Sequence, residues 1–230
     1  MEGIFENLYI SENEPYLRPY ISKGNPHNAK ICFVGTNPAT PIYPKDIKLD
    51  EYIELLNDYD KFMQFYKQTR IKSGKTTISR TRLGIMSFRD WVEKELHTNM
   101  IETDIFTYPT KNIKDLVKVN NEILDRSLNL FWNVLTEFKT PIIILHGSMT
   151  VETFNRAVKG KKIRYNSNNT KIEEIEKLNP YAEIDINGTK SILLASKHFM
   201  YYGKTGKVFE DLKKNLRDFI NHLNDMQIFI

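Results

Sequence analysis

The feature that most constrains the fold of this chain is a short apolar run that passes directly into a polar loop. Residues Ile31–Val34 are all apolar, and the sequence Gly35-Thr36-Asn37-Pro38-Ala39 follows at once. A run of strand length that ends at Gly and Pro predicts a buried β-strand followed by a loop. Three further runs of strand length occur at Met100–Phe106, Ile142–Leu145 and Ile192–Ala195. We therefore expect a sheet that is built on these four strands.

Apolar residues at helical spacing fill most of the chain between these strands. The periodic segments are Asp50–Gln68, Ile85–Leu96, Ile113–Phe138, which is one long helix or a broken one, Thr150–Val158 and Lys207–Leu223. Strands that alternate with helices indicate a mostly parallel sheet that is covered on both faces. The sequence therefore predicts an α/β fold with three layers, α/β/α, around a central, mostly parallel sheet of four to five strands.

A second type of strand pairing is indicated near the end of the chain. Asn187-Gly188 separates Glu183–Ile186 from Ser191–Leu194, and an Asn-Gly pair between two apolar segments is a strong hairpin signal. We therefore expect one antiparallel strand at an edge of the sheet. The segment Ile163–Leu178 is rich in Asn and charge, which predicts an exposed loop followed by a short polar helix.

The composition is that of an ordinary globular protein. Hydrophobic residues make up 40% of the 230 residues and charged residues 27%, and no shift in composition divides the chain, so we expect a single domain over residues 1–230 with an N-terminal extension, residues 1–28, packed on it. The apolar runs are shorter than the roughly 20 residues of a membrane helix. The N-terminus lacks the pattern of a signal peptide. We expect a cytoplasmic monomer that does not bind membranes, and a nucleoid-associated one if it is bacterial.

The positive charge is unevenly distributed along the chain. Residues 61–89 hold eight basic side chains and no acidic one, and two further basic clusters occupy 159–164 and 197–217. Patches of this kind suit a phosphate backbone if they share one face of the protein. The alternative is a solvated surface without a partner.

Polar residues follow each of the four expected parallel strands. The carboxyl ends of parallel strands meet at one edge of the sheet, where ligands of such folds bind. The single cysteine, Cys32, excludes an internal disulfide and a site with several thiolates, and no spaced Cys or His pair indicates zinc. The polar positions are Thr36-Asn37-Pro38, Asp104 with Thr107-Tyr108-Pro109-Thr110, His146-Gly147-Ser148 and Ser196-Lys197-His198.

The order of these motifs resembles the uracil-DNA glycosylase superfamily, and especially its mismatch-specific and single-strand-selective branches, whose first motif also reads Gly-x-Asn-Pro. The resemblance extends from Ala29 to the C-terminus. It implies that Asn37 positions a water near the anomeric carbon and that His198 stabilises the negative charge on the departing base. It also implies a base-binding pocket, to which we assign Thr36 and an aromatic ring that stacks on the base, either Tyr43 or Tyr108.

Two positions depart from the pattern of that superfamily. Relatives use an asparagine on the second strand to bind uracil, whereas this chain has Asp104 there. An ionised aspartate only accepts hydrogen bonds, so it would favour a base with an exocyclic amine over uracil; the alternative is a structural acid. Relatives also follow the histidine with a Pro-Ser loop, whereas here Phe199–Tyr202 follows, which would either fill the gap left by a flipped nucleotide or form a buried turn.

The resemblance implies a monofunctional DNA glycosylase that acts on a flipped uracil or modified base in single- or double-stranded DNA and needs no metal or organic cofactor. Two alternatives stay open. One is an inactive module that binds DNA or protein with the same fold, and the other is a hydrolase of small nucleosides or nucleotides. We expect the DNA to contact Lys75, Arg80, Arg82, Lys197, Phe199, Tyr201 and Lys204.

Overall fold

The computed structural model describes residues 2–158, 160–168 and 171–227, in which six strands form one sheet with the order β2-β1-β3-β6-β5-β4. The first four strands in this order run parallel, whereas β5 is antiparallel to β6 and β4 is antiparallel to β5. The strands are β1 (Ala29–Gly35), β2 (Asn99–Asp104), β3 (Ile142–His146), β4 (Lys162–Tyr165), β5 (Ala182–Ile186) and β6 (Thr189–Ser196).

Helices cover both faces of this sheet. Successive side chains of a strand point to opposite faces, so Cys32 and Val34 of β1 join one core cluster while Ile31 and Phe33 join another. The first cluster packs against α2, α3, α5 and α6, and the second against α4 and α8. The predicted three-layer α/β/α fold is therefore confirmed. The helices are α1 (Glu2–Phe5), α2 (Leu49–Asn57), α3 (Tyr59–Lys72), α4 (Arg80–Glu95), α5 (Asn121–Phe138), α6 (Ser148–Ala157), α7 (Ile172–Ile175) and α8 (Glu210–Gln227), with short 3-10 helices at Pro26–Asn28, Ile113–Lys118, Phe199–Tyr201 and Lys207–Phe209.

Local capping divides two segments that have continuous helical periodicity. Asp58 ends α2, and its side chain accepts a hydrogen bond from Lys61 N at 3.0 Å, which starts α3. Asn120 likewise accepts from Glu122 N at 2.8 Å at the start of α5. The single helix expected over Asp50–Gln68 is therefore two helices, and Ile113–Phe138 is broken.

The antiparallel part of the sheet differs from the expectation in one strand. The hairpin at Asn187-Gly188 is confirmed, and both residues have positive φ, 51° and 85°, as a tight primed turn requires. However, β5 is an inner strand, because β4 pairs with its other side. The expected loop over 163–165 lies within β4, whose side chains are exposed or only half-buried. Lys162-Ile163-Arg164-Tyr165 does alternate polar and apolar side chains, but over only four residues. The Asn-rich, charged stretch that follows therefore dominated the sequence prediction.

The N-terminal segment packs beside β2. Ile21 and Glu102 exchange two backbone hydrogen bonds, of 2.8 and 2.9 Å, and Arg18 N donates to Thr107 O at 2.8 Å. This pairing brings the Arg18 side chain to the carboxyl end of β2. Among the described residues, no helix combines the length and apolar character needed to cross a membrane.

Candidate functional site

A cavity of about 530 Å³ opens at the carboxyl ends of the parallel strands. Two groups of side chains line it. The strand-end group comes from the residues at the ends of β1, β2, β3 and β6, and the arginine group comes from the N-terminal segment and from α3 and α4. The strand-end group is Thr36, Asn37, Asp104, His146 and His198, and the arginine group is Arg18, Arg70 and Arg82.

Hydrogen bonds fix the orientation of the Asn37 amide. Asn37 Nδ2 donates to Thr110 Oγ1 at 2.7 Å. The Thr110 hydroxyl donates its own proton to Asn112 O, also at 2.7 Å, so it can only accept from Asn37. Because the amide nitrogen is engaged in this way, Asn37 Oδ1 remains as the acceptor that the side chain offers to a molecule in the cavity.

Asp104 lies against the end of β1, where a glycine makes room for it. A Cβ atom at Gly35 would lie 2.3 Å from Asp104 Oδ1 and 3.1 Å from His146 Nε2, so both side chains reach the same point above the backbone of β1. Burial raises the pKa of Asp104 to about 7, although the charges of Arg18 and Arg82 oppose this rise. A group with this pKa exchanges protons at neutral pH, as catalytic and base-reading carboxyls do.

The two histidines of the strand-end group are both held in the neutral form. His146 is only 8% exposed and stacks on Phe33 with 4.7 Å between ring centres. Burial, and to a smaller extent the proximity of His198, lower its pKa to about 3. Burial also lowers the pKa of His198. His198 Nδ1 accepts a hydrogen bond from Met200 N at 3.2 Å, so its proton resides on Nε2, which is a donor.

One member of the arginine group, Arg82, pairs with a second acid, Glu102. Arg82 makes a short ion pair with this carboxylate, and Arg89 Nη2 lies 2.9 Å from its other oxygen. Burial opposes the ionisation of Glu102, yet these two guanidinium groups hold the pKa of its carboxyl below the usual value. Arg18 is 5% exposed, donates to Ala39 O at 2.9 Å and lies over the Phe62 ring.

Several residues of the predicted base-binding set lie elsewhere. Neither Tyr43 nor Tyr108 lines the cavity, and the hydroxyl of the buried Tyr108 donates to Glu14. The expected stacking role of either tyrosine is therefore contradicted; the rings that do line the cavity are Phe33 and Tyr66. Thr36 does lie in the cavity wall, where its hydroxyl is 2.9 Å from that of Thr150.

The residues expected to contact DNA divide into exposed and buried ones. Phe199 is 0% exposed and packs with Phe33 and Phe88 in the smaller core, so its expected role as a wedge is contradicted and the turn is buried at that residue. Arg82 is committed to Glu102 inside the cavity rather than to the surface. The others are on the surface: Lys75, Arg80, Tyr201 and Lys204 are exposed, and Lys197 is half-buried with an ion pair to Glu176 at 3.1 Å.

Two residues of the site gave little or no signal in the sequence. Arg18 precedes the first strand by eleven positions, and only the pairing of residues 18–21 with β2 brings it into the cavity. Tyr66 belongs to the apolar stripe of α3, which indicates a core residue. Within residues 2–158, 160–168 and 171–227, no group of three or more His, Cys, Asp or Glu side chains is placed to hold a metal ion.

The basic clusters also differ in their surroundings. Lys161 lies 4.9 Å from the centre of the Trp132 ring, and Arg164 pairs with Glu183. Lys213 is buried and donates to Thr205 O at 2.8 Å. Lys159 lies outside the described residues. The end of α3 and the start of α4 border the cavity, because Arg70, Ser79 and Thr81 line it.

Comparison with known proteins adds no family to this description. No protein-family model matches the chain. Among curated proteins, no match is found either.

Proposed function

We propose that this chain is a monofunctional DNA glycosylase that hydrolyses the N-glycosidic bond of a flipped uracil or modified base. The observation that carries the proposal is that Asn37, Asp104 and His198, which lie at or just after the ends of three different strands, line one cavity. Its volume of about 530 Å³ falls within the range of ligand pockets, roughly 300–1,000 Å³. The resemblance in motif order gives the same assignment.

Asn37 is suited to hold the attacking water. Its Oδ1 makes no hydrogen bond to the described residues and can accept one from a water, and the network through Thr110 prevents the amide from rotating. An amide is too weak a base to take a proton before the bond breaks. Orientation is sufficient when the transition state resembles an oxocarbenium ion, because bond breaking then runs ahead of the attack.

His198 is suited to stabilise the departing base. The base leaves with its bonding electron pair, so negative charge develops on the ring. A neutral imidazole with its proton on Nε2 donates a hydrogen bond to that charge, and in a buried site this donor acts without being screened by water. The hydrogen bond from Met200 N to Nδ1 holds this tautomer.

The surroundings of the cavity favour DNA over a free nucleoside. Lys72, Lys75 and Arg80 are exposed on the segments that border the cavity, and a row of cations suits a phosphate backbone. Met149 and Tyr201 are 50% and 62% exposed, although Met149 lines the cavity and Tyr201 lies three positions after His198. Exposed apolar side chains at this place are of the kind that fill the gap left by a flipped nucleotide.

The test is base excision on oligonucleotides that carry uracil, mismatched bases or hypermodified cytosines, followed by alkaline cleavage at abasic sites. We expect Asn37→Ala and His198→Ala each to slow excision on the order of 10²–10³-fold, as the loss of one preorganised polar group does, with DNA binding retained. Asn121→Ala and His222→Ala alter exposed residues outside the cavity and are the matched controls.

The outcomes separate the three classes of function. Excision that persists in both cavity variants would contradict the mechanism. Hydrolysis of free 2′-deoxyuridine but not of the oligonucleotides would indicate a nucleoside hydrolase, and DNA binding without excision of any base would indicate a binding module.

A further inference from the structure

The two carboxyl groups of β2, Glu102 and Asp104, face the same cavity in different electrostatic surroundings. They are two residues apart on one strand and therefore point to the same side of the sheet. Glu102 accepts hydrogen bonds from Arg82 and Arg89. No hydrogen bond or ion pair joins the Asp104 carboxyl to any of the described residues, and this carboxyl lies over the backbone of Gly35.

We propose that Asp104 binds the flipped base as an uncharged carboxylic acid, donating one hydrogen bond and accepting another as an asparagine amide would. This inference rests on the proposed function and specifies how that site reads its base. A carboxylic acid accepts from N3–H of uracil and donates to O4, whereas a carboxylate can only accept.

Burial favours the acid form of Asp104, and the neighbouring charges oppose it only in part. The titratable and charged groups around Asp104 are Arg18 from the N-terminal segment, Arg82 from α4, Glu102 on β2 itself, and His146 from β3; β1 contributes only the Gly35 backbone. Arg82 is paired with Glu102, whose negative charge opposes a second one nearby. Arg18 donates to Ala39 O and makes no ion pair with Asp104.

His146 adds no positive charge that would stabilise a carboxylate. Its ring is buried against Phe33 and it stays neutral at physiological pH. Desolvation of Asp104 therefore outweighs the opposing charges of Arg18 and Arg82, and it raises the pKa of this carboxyl to about 7. The expectation that Asp104 selects an exocyclic amine assumed a full negative charge, which these surroundings oppose.

In the acid form, Asp104 can take the place of the asparagine that binds uracil in the uracil-DNA glycosylase superfamily, and uracil is not excluded. The proton of a carboxylic acid can reside on either oxygen, so the same group also donates to N3 of cytosine and accepts from its N4 amine. Binding through this group should therefore accept both pyrimidine edges, and it should weaken as the carboxyl ionises.

The experiment measures binding as a function of pH, separately from hydrolysis. The probe is a duplex with one 2′-fluoro-2′-deoxyuridine, whose fluorine disfavours the oxocarbenium ion and so keeps the base attached; a duplex with a tetrahydrofuran abasic site is the control. The quantity of interest is the ratio of the affinities for the uracil analogue and for the abasic duplex. We expect this ratio to fall about tenfold for each pH unit above the midpoint near 7, which is the behaviour of a single required proton. The abasic duplex should not show this fall.

Three variants test whether the fall in affinity with rising pH depends on Asp104. Asp104→Asn keeps a donor and an acceptor without a charge, so it should bind the uracil analogue with an affinity that no longer changes between pH 6 and pH 8.5. Asp104→Ala should reduce binding to the abasic level at every pH. Asp125→Asn, which alters an exposed residue of α5, should keep the wild-type profile. The carboxyl carbon of Asp104 in the free protein should titrate near pH 7 by NMR.

A flat wild-type profile, the same fall in Asp104→Asn, or no preference for the uracil analogue over the abasic site would each overturn the inference. A fall that depends on Asp104 in a protein that excises no base would support it and would contradict only the proposed hydrolysis.

Discussion

The strand-end group and the arginine group line the same cavity but are held in place by different forces. Asn37 is held by hydrogen bonds and His146 by ring stacking, and within this group no ion pair is formed among the described residues. In the arginine group, Arg82 is held by an ion pair and Arg18 by a backbone acceptor and an aromatic face. Under the proposed function, the reacting bond would therefore lie beside side chains that form no ion pair. The ion pair in the cavity wall, between Arg82 and Glu102, belongs to the other group.

The largest effect should come from Glu102, which pairs with Arg82 of the arginine group and with the buried Arg89. Glu102→Gln leaves Arg82 and Arg89 buried without a counter-charge, so we expect the free energy of unfolding to fall by about 3–5 kcal/mol, the usual cost of breaking a buried ion pair from one side. Urea unfolding measures this loss.

The matched control is a surface pair of the same chemistry. Arg164 Nη2 lies 2.5 Å from Glu183 Oε1, but the two side chains are 73% and 39% exposed. Glu183→Gln should therefore cost less than about 1 kcal/mol. Equal losses of unfolding free energy in the two variants would show that the buried pairing of Glu102 with Arg82 and Arg89 stabilises the fold no more than a surface ion pair does.

The next effect concerns the strand-end group and its packing. Gly35→Ala places a Cβ where Asp104 and His146 now meet, and these side chains must move apart. We expect an unfolding penalty of about 1–3 kcal/mol, as for other overpacked sites, together with a loss of base excision. Gly3→Ala adds a Cβ with nothing within 4 Å and should change stability by less than about 0.5 kcal/mol. Unchanged excision in Gly35→Ala would mean that this contact does not position the site.

The same contrast explains what the sequence could predict. The strand-end group follows apolar runs that are buried on both faces, such as Ile142–His146, so both the strands and the polar positions after them were predictable. The arginine group depends on contacts between distant segments. Arg18 reaches the cavity through backbone pairing with β2, and nothing in its own neighbourhood along the chain indicates that pairing.

Two features of the site could not be predicted from the sequence, for the same physical reason. Phe199 and Tyr201 belong to one aromatic segment, and only the fold decides that Phe199 enters the core while Tyr201 stays exposed. Asp104 lies at the expected strand end, but its raised pKa follows from burial, which outweighs the charges of Arg18 and Arg82. Sequence spacing gives the position of such a group but not its desolvation.

The pH dependence of the free energy of unfolding should report on two residues of the strand-end group, Asp104 and His146. Between about pH 4 and 7 the folded protein holds a proton on Asp104 that the unfolded chain has released, so this group lowers stability as the pH rises. Between about pH 3 and 6.5 the unfolded chain binds a proton that buried His146 does not, so this group raises stability as the pH rises. The two contributions, each up to about 1.4 kcal/mol per pH unit, oppose each other.

Replacing one of these two residues should reveal the contribution of the other to the pH dependence. We expect the stability of Asp104→Asn to rise more steeply with pH than that of the wild type between pH 4.5 and 6.5, and that of His146→Gln to rise less steeply or to fall. Urea unfolding at three pH values measures these slopes. Arg70→Gln should leave the slope unchanged, because a guanidinium group keeps its proton throughout. If both strand-end variants follow the wild-type slope, neither group is perturbed by burial.

The smallest effect should come from the exposed cations beside the arginine group. Lys75→Ala and Arg80→Ala should each weaken DNA binding to a similar degree on every sequence, and each should reduce the slope of log affinity against log salt by about 1, as the loss of one phosphate contact does. Titrations at several salt concentrations measure the slope. Lys162→Ala is the control, because Lys162 lies on β4, at the edge of the sheet farthest from β2. If none of the variants changes the slope, the charge near the cavity is only solvated surface, and if all three lower it equally, the DNA has no preferred path beside the cavity. If only the first two lower it, the backbone of the DNA passes over the start of α4, which would bring a flipped base toward the strand-end group.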